Sequence, residues 1–305
     1  MKKTWNEFFC DSLVEELSRL GVTRFFVAPG SRSTPLVQAI HANAKTQAFV
    51  HFDERGLAFL ALGEAKRTGK PAALVTTSGT AVAHLLPAVV EASLSHIPLV
   101  LLTADRPAEL LRTGANQAID QKAIFGSHVR DYLELPAPSP SDPIEAVLTA
   151  VDEMLAQATG VLPGPVHINC PFREPLYSQE FSRVDIQPSA GYLMWLDSRK
   201  PWARVAPRKV ESSIAEALDE LKLARRGLIT FGAHSEFVPE IFEKLPWPAF
   251  VDIHAGLKPH PNVIDYSELL LETPPELQPD LILHFGGPPT SKQALELHRR
   301  FTGKL

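Results

Sequence analysis

Four short stretches of this 305-residue chain gather side chains suited to chemistry. Pro29-Gly30-Ser31-Arg32-Ser33-Thr34 combines a glycine, hydroxyls and a guanidinium, a set that suits a carboxylate held at a helix start. The plainer reading of the same residues is a turn followed by a helix N-cap. His51-Phe52-Asp53-Glu54-Arg55 offers two adjacent carboxylates. Asp53 is placed to cap the next helix and Glu54 to sit favourably in its first turn. As a functional acid Glu54 needs burial to raise its pKa. Metal binding by His51, Asp53 and Glu54 together is disfavoured, because alternation along a strand sends neighbours to opposite faces. Thr76-Thr77-Ser78-Gly79-Thr80 presents small hydroxyls and backbone N–H groups, and such turns also cap many ordinary helices. Thr103-Ala104-Asp105-Arg106-Pro107, with Gly114-Ala115-Asn116-Gln117 beyond it, contributes a second arginine and two amides.

Each stretch ends an apolar run that reads as a buried strand: Phe25 to Ala28, Ala48 to Phe52, Ala72 to Thr76, and Leu99 to Leu102. Helical spacing fills the gaps. Phe9, Leu13, Leu17 and Leu20 form one stripe, stopped by Gly21. Further helices are expected from about Thr34, from Gly56 to about Thr68, and as one apolar helix from about Thr80 to Ser93. Another opens at Ser141-Asp142-Pro143, carries Ile144, Val147, Leu148, Val151 and Leu155, and leads past Gly160 to a strand over Pro165 to Asn169. Strands alternating with helices predict an α/β fold, a doubly wound parallel sheet. Ligands of such sheets bind beyond the carboxyl ends of the strands, so the four polar stretches converge on one crevice.

At ~150 residues per domain the length suggests two domains. The first is expected over residues 1–180. Residues 181–207 lose periodicity and accumulate Pro, Ser, Trp and charge, which reads as a linker partly packed on the surface. Periodicity resumes over 208–305 with Ile214, Ala217, Leu218 and Leu221, then strands at Gly227 to Phe231, Ala249 to Asp252 and Leu281 to Phe285, and a helix from about Ser291. This is a second, Rossmann-like α/β unit. A formal net charge of −5, from 30 Lys+Arg against 35 Asp+Glu, excludes a generally basic nucleic-acid surface. No run reaches the ~18 apolar residues of a membrane span. Behind Lys2-Lys3 the apolar run is interrupted by Glu7 and Asp11, unlike a signal peptide. Two cysteines, Cys10 and Cys170, make no disulfide framework, and the cytoplasm is the simplest compartment.

Taken in order, these segments resemble one enzyme family. Ala28-Pro29-Gly30-Ser31-Arg32-Ser33-Thr34-Pro35, Asp53-Glu54-Arg55, Thr77-Ser78-Gly79-Thr80-Ala81, Leu102 to Pro107, Gly114 to Ile119, and Gly164-Pro165-Val166-His167-Ile168-Asn169-Cys170-Pro171 with Glu174-Pro175-Leu176 carry the likeness. They resemble 2-succinyl-5-enolpyruvyl-6-hydroxy-3-cyclohexene-1-carboxylate synthase, the thiamine-diphosphate-dependent MenD family of menaquinone and phylloquinone biosynthesis. The likeness is dense over the first ~180 residues and loose beyond, where it rests on element order and Phe285-Gly286-Gly287.

The resemblance implies a pyrimidine-binding domain followed by a central domain. It implies a decarboxylating condensation of 2-oxoglutarate with isochorismate, with thiamine diphosphate and Mg2+ as cofactors and a homodimer or homotetramer as the assembly. It makes Glu54 the carboxyl that shares a proton with the pyrimidine nitrogen, and so activates the cofactor's reactive carbon. Pro29 and the Ser78-Gly79 turn line the pyrimidine pocket, while Ser31, Arg32, Arg106, Asn116 and Gln117 hold substrate carboxylates and hydroxyls. The family's diphosphate and magnesium site carries a Gly-Asp-Gly motif, and none occurs in these 305 residues. The expectation is therefore an N-terminal portion that ends in or just after the central domain, holds half an active site and is inactive alone.

Two other readings compete. A non-catalytic binding or regulatory module would keep the fold without turnover, but it has no reason to retain Glu54, both arginines and both amides. A dinucleotide-binding protein would use Gly286-Gly287 as a phosphate loop, but the G-x-G-x-x-G spacing is absent. In the second domain His254, Lys258 and His260 are too generic to mark a ligand site.

Overall fold

Alternation of side chains along the strands decides how the first unit is built. In the computed structural model, which describes residues 1–177, 180–205, 215–233, 235, 238–256, 259–272 and 279–301, the chain divides into a unit over Met1–Arg208 and one over Lys209–Leu305. Pro207, Ile214 and Lys258 lie outside the described residues. The first unit runs β1 (Lys2–Lys3), α1 (Trp5–Arg19), β2 (Arg24–Val27), α2 (Thr34–Ala42), β3 (Gln47–Val50), α3 (Glu54–Thr68) and β4 (Ala72–Thr76). It continues through α4 (Thr80–Ala83), α5 (Leu86–Leu94), β5 (Leu99–Asp105), β6 (Tyr132–Glu134), α6 (Ile144–Ala158), β7 (Val166–Pro171), β8 (Val184–Asp185) and α7 (Ala190–Ser198).

Six of these strands form one sheet in the order β3-β2-β4-β5-β7-β6, with every pair parallel. Phe25, Val27, Ala73, Val75, Val100, Leu102 and Ala104 point to the face covered by α1, α2 and α6. Their neighbours Phe26, Ala28, Ala72, Leu74, Leu99 and Leu101 point to the face covered by α3 and α5. Burial on both faces is what a parallel sheet requires, and it explains the near-continuous apolar strand sequences. β1 and β8 form a separate antiparallel pair. Thr4 starts α1 as a capping box, its hydroxyl accepting from Glu7 N–H at 3.1 Å while Glu7 Oε2 accepts from Thr4 N–H at 2.7 Å.

Two expectations are corrected. The helix expected from Thr80 to Ser93 is two helices, α4 and α5, parted at His84 and Leu85. Pro87 has no N–H to donate back toward Ala83 and its ring clashes there, so a continuous helix cannot pass it. The stretch 181–207, expected as a linker, instead carries α7, which buries Tyr192 and Trp195 in the core of the first unit. Its sequence Tyr192-Leu193-Met194-Trp195-Leu196 is a solid apolar run with no 3.6-residue alternation, so periodicity could not reveal it.

The second unit contains α8 (Ala215–Leu223), β9 (Gly227–Phe231), β10 (Ala249–Val251), α9 (Ser267–Glu272), β11 (Leu281–Phe285) and α10 (Lys292–Arg300). Its described strands make a parallel sheet in the order β10-β9-β11, packed on small clusters that include Ile229, Phe231 and Ala249 on one side and Leu228, Phe250 and Ile282 on the other.

Candidate active site

The strand order creates the crevice. The chain goes from β2 outward to β3 and then returns to the other side of β2 to make β4, so the connections diverge between β2 and β4. Such a switch point is where open α/β sheets bind ligands. There the two loops touch. A Cβ on Gly30 would lie 2.3 Å from Thr77 Cβ, so only glycine allows the turn after β2 to approach the turn after β4. Gly79 adopts φ +83°, and a Cβ there would sit 3.1 Å from the Gln117 backbone oxygen. The 77–79 turn is thereby pressed between the 29–31 turn and the 114–117 loop.

Two arginines meet at this rim. Arg32 is buried, donates from Nη1 to the Phe172 carbonyl at 3.0 Å, and has Nη2 3.5 Å from the exposed Glu174 carboxylate. Its Nε is buried without a partner within the protein. Arg106 is also buried, and its Nη1 donates to Ser78 Oγ and, at 3.3 Å, to the Gln117 carbonyl. Burial lowers the Arg106 pKa, and repulsion from Arg32 adds to the shift, with Asp105 and Glu174 opposing it. Two buried guanidiniums that repel each other, one of them with an unpartnered N–H, favour an anion nearby.

Of the residues singled out from sequence, the fold brings Arg32, Ser78, Gly79, Arg106 and Gln117 into this cluster. Pro29 and Ser31 lie exposed on the turn after β2, where the Ser31 carbonyl accepts from Thr34 N–H at 3.1 Å. Asn116 is exposed on the neighbouring loop, and Gln117 carries a φ of +56°. Glu54 is half-buried at the first position of α3, just past β3. Asp53 caps that helix, its Oδ1 accepting from Gly56 N–H at 2.7 Å. No hydrogen bond or ion pair among the described residues joins Glu54 to the arginine cluster. His51 Nδ1 accepts from Asp53 N–H at 3.1 Å, a local turn contact. Among the described residues no group of three His, Cys, Asp or Glu side chains converges as a metal site.

Beneath the rim lies a buried polar network that sequence reasoning did not pick out as functional. His167 Nε2 and Thr103 Oγ1 are 2.6 Å apart, and Thr103 donates to Asn169 Oδ1 at 2.8 Å. Asn169 Nδ2 donates to Asp105 Oδ2 at 2.9 Å, and Asp105 Oδ1 accepts from Arg106 N–H at 2.7 Å. Gln121 joins through Nε2, 2.7 Å from Asn169 Oδ1, while its Oε1 accepts from Gly79 N–H at 2.9 Å. Burial pushes the His167 pKa down to about 3, so the ring is neutral and donates from Nε2 to Thr103. Burial also raises the Asp105 carboxyl, against the hydrogen bonds from Asn169 and Arg106 N–H. The available signal was register: Thr103 and Asn169 are direct partners across β5 and β7, and only the pairing of the strands brings them together.

In the second unit, Gly286-Gly287 does not form an open phosphate loop. Gly287 N–H donates to the Ala233 carbonyl at 2.7 Å, and a Cβ on Gly232 would lie 1.9 Å from the Gly287 oxygen. The pair closes against its own neighbouring turn. His260 stacks on Phe242 with ring centroids 4.4 Å apart, a packing contact.

Residues 9–124 match the family model described as thiamine pyrophosphate enzyme, N-terminal TPP binding domain. The chain is 42% identical over 295 residues to the 2-succinyl-5-enolpyruvyl-6-hydroxy-3-cyclohexene-1-carboxylate synthase of Chlorobium phaeobacteroides (strain BS1), covering 93% of this chain and 51% of that protein. It is 44% identical over 306 residues to the synthase of the same name from Rubrobacter xylanophilus, covering 96% and 52%. Against that of Aeromonas salmonicida it is 40% identical over 309 residues, covering 95% and 52%. The chain thus spans about half the length of these curated relatives. Over the half of their length that it spans, the chain is thus similar to these 2-succinyl-5-enolpyruvyl-6-hydroxy-3-cyclohexene-1-carboxylate synthases, and over residues 9–124 to the N-terminal TPP binding domain of thiamine pyrophosphate enzymes.

Proposed function

We propose that the first unit is a pyrimidine-binding domain, the second a central domain, and that the chain acts in the thiamine-dependent condensation of 2-oxoglutarate with isochorismate in menaquinone biosynthesis. In class this is a transferase reaction, and its setting is the cytoplasm. The carrying observation is two buried, mutually repelling arginines, Arg32 with an unpartnered Nε and Arg106 anchored to Ser78 of the Ser78-Gly79 turn. Both substrates are carboxylic acids, and two convergent guanidiniums at a strand-end crevice are what such substrates require.

The residues present suit the pyrimidine side of the cofactor. The glycine turns at 30 and 79 leave backbone and no side chain at the crevice, and Thr76 Oγ1 is a second buried polar atom without a protein partner. Among the described residues no group of three His, Cys, Asp or Glu side chains converges, and no residue of this chain is assigned to Mg2+. When bound, thiamine diphosphate supplies the electron sink that allows decarboxylation. The chain's own part is to orient and to move protons. Glu54 exchanges a proton with the pyrimidine nitrogen from its place at the α3 start. Pro29 and the 78–79 turn hold the ring. Arg32 and Arg106 neutralise substrate carboxylates, with Ser31, Asn116 and Gln117 offering hydrogen bonds to carboxylates and hydroxyls.

Calorimetric titration of the chain with 2-oxoglutarate tests this reading. Arg32→Ala and Arg106→Ala should each weaken binding by tenfold or more, since a charge-assisted hydrogen bond contributes ~1.5–3 kcal/mol. Binding indifferent to both changes would refute the assignment. The polypeptide of these 305 residues contains no Gly-Asp-Gly, so on its own it should give no turnover of 2-oxoglutarate and isochorismate even with thiamine diphosphate and Mg2+ supplied.

A further inference from the structure

We propose that Gln121 is the positioning residue for the 77–79 turn, holding Gly79 and the Arg106 anchor beside it in the shape the site uses. The proposal rests on the functional reading of that turn given above. Gln121 is only 1% exposed, and its amide can face only one way. Gly79 N–H can only donate, so the atom 2.9 Å from it must be Oε1. The other end then presents Nε2, which finds two acceptors, Asn169 Oδ1 at 2.7 Å and the Ala104 carbonyl at 3.3 Å.

Asn169 is itself oriented. Its Nδ2 is held by Asp105 Oδ2, and its Oδ1 already accepts from Thr103. Every donor in the network therefore points in a set direction, from His167 through Thr103 to Asn169, and from Gly79 into Gln121. The two open ends of the network are backbone N–H groups: Gly79 in the turn after β4 and Arg106 at the end of β5. Both lie next to groups at the rim. Arg106 Nη1 in turn donates to Ser78, one residue before Gly79, and to Gln117, whose backbone packs against Gly79. Gly79 also sits at φ +83°, ψ −146°, a region that glycine enters and leaves readily, so holding the turn in it depends on outside support. Gln121 supplies that support without itself reaching the rim.

The test exploits the chemistry of an amide against a carboxyl. In Gln121→Glu, an ionised carboxylate has lost the donor that Asn169 and Ala104 require, whereas a protonated carboxyl restores one donor and one acceptor. Burial raises the pKa of such a carboxyl, so the switch falls within a workable pH range. Gln121→Leu removes both functions at every pH.

With the full 305-residue chain labelled at glycine nitrogen, hydrogen-exchange protection of Gly79 N–H is measured between pH 5 and 8, with Gly232 in the second unit as internal control. 2-Oxoglutarate affinity is measured in parallel. Gly79 protection should fall ~10-fold or more in Gln121→Leu at all pH values, from the loss of a buried hydrogen bond. In Gln121→Glu the carboxylate keeps an acceptor for Gly79 N–H but sets a charged oxygen against the acceptors of Asn169 and Ala104, which drive it out of place. Protection should therefore fall at high pH and recover as pH is lowered, with Gly232 unchanged and 2-oxoglutarate affinity following Gly79. Unchanged protection in Gln121→Leu, or loss in Gln121→Glu with no recovery at low pH, would overturn the proposal. So would lost protection with unaltered affinity. If the unsubstituted chain binds no 2-oxoglutarate, the functional reading fails, and the exchange data still decide whether Gln121 holds Gly79.

Discussion

Glu54 and Gly30 show two kinds of residue-scale information. Glu54 matters for what its carboxyl can exchange. In a functioning synthase that carries this unit, Glu54→Gln should slow exchange of the cofactor's reactive C–H by ~10²–10⁴-fold, because glutamine can accept or donate a hydrogen bond but cannot take up the proton. Deuterium exchange at that carbon measures it directly, and exchange at the normal rate would return Glu54 to a first-turn helix carboxylate. Gly30 matters for what it lacks. With 2.3 Å between its absent Cβ and Thr77 Cβ, Gly30→Ala must push the two turns apart. It should lower 2-oxoglutarate affinity at the rim, and Thr77→Gly should restore part of it by vacating the space. A Gly30→Ala chain with unaltered affinity would show that this close approach is irrelevant to binding. Motif reading found both residues but could explain neither, since burial and distance are properties of two chain segments and not of one.

At the scale of elements, the segment after the first sheet is held by a pair of buried carboxyls. Glu16 on α1 accepts from Trp195 Nε1 at 2.7 Å and from Trp202 N–H at 2.6 Å, while Asp152 on α6 accepts from Ala203 N–H at 2.6 Å. Arg19 lies over the Trp195 ring at 4.3 Å and donates to the carbonyls of Trp195 and Lys200. Burial raises the Asp152 pKa well above the carboxyl range. A hydrogen bond with Glu16 and repulsion from Glu16 and Glu153 add to the rise, and Ala203 N–H opposes it. A raised native pKa means that the folded chain keeps a proton the unfolded chain releases near pH ~4. Stability from this pair is therefore full in acid and is lost as pH climbs toward and past neutrality. Asp152→Asn, which keeps a donor for Glu16 and an acceptor for Ala203, should flatten that slope. Thermal unfolding between pH 5 and 9 checks it, and equal slopes in the two proteins would refute the shared proton. Helix α7 could not be read in advance because its buried residues, Tyr192 and Trp195, are chosen by this clamp and not by a periodic stripe.

For the whole molecule, the first unit leaves apolar surface that its own fold does not cover. Phe52 is 84% exposed and Val50 73%, just past and at the end of the edge strand β3. Phe59 and Leu60 on α3 and Leu86 on α5 are exposed as well, on the two helices that share one face of the sheet. The sequence had drawn attention to the apolar helix after Thr80. In the fold its Ala81, Val82, Leu85, Ala88 and Val89 are buried, and the larger exposed side chains come from α3 and the β3 end. We propose self-association through this face. Sedimentation should show concentration-dependent dimerisation, weakened by Phe52→Ser together with Leu60→Ser. A strict monomer at high concentration would count against it.

What the amino-acid sequence determined by itself was most of what depends on local order: the strand and helix alternation of the first unit, the parallel α/β class, the polar strand ends and the family motifs, though not the break before Pro87 or helix α7. Apolar strands between amphipathic helices can bury both sheet faces in only one way, so class follows from pattern. What only the tertiary structure decided was which strand ends become neighbours. The order β3-β2-β4-β5-β7-β6 sets Gly30 against Thr77, Arg106 against Ser78 and Gln121 against Gly79, pairs separated by tens of residues along the chain. Hydrogen bonds and close contacts act over a few ångströms in space. No spacing along the chain encodes that proximity until the strands have paired.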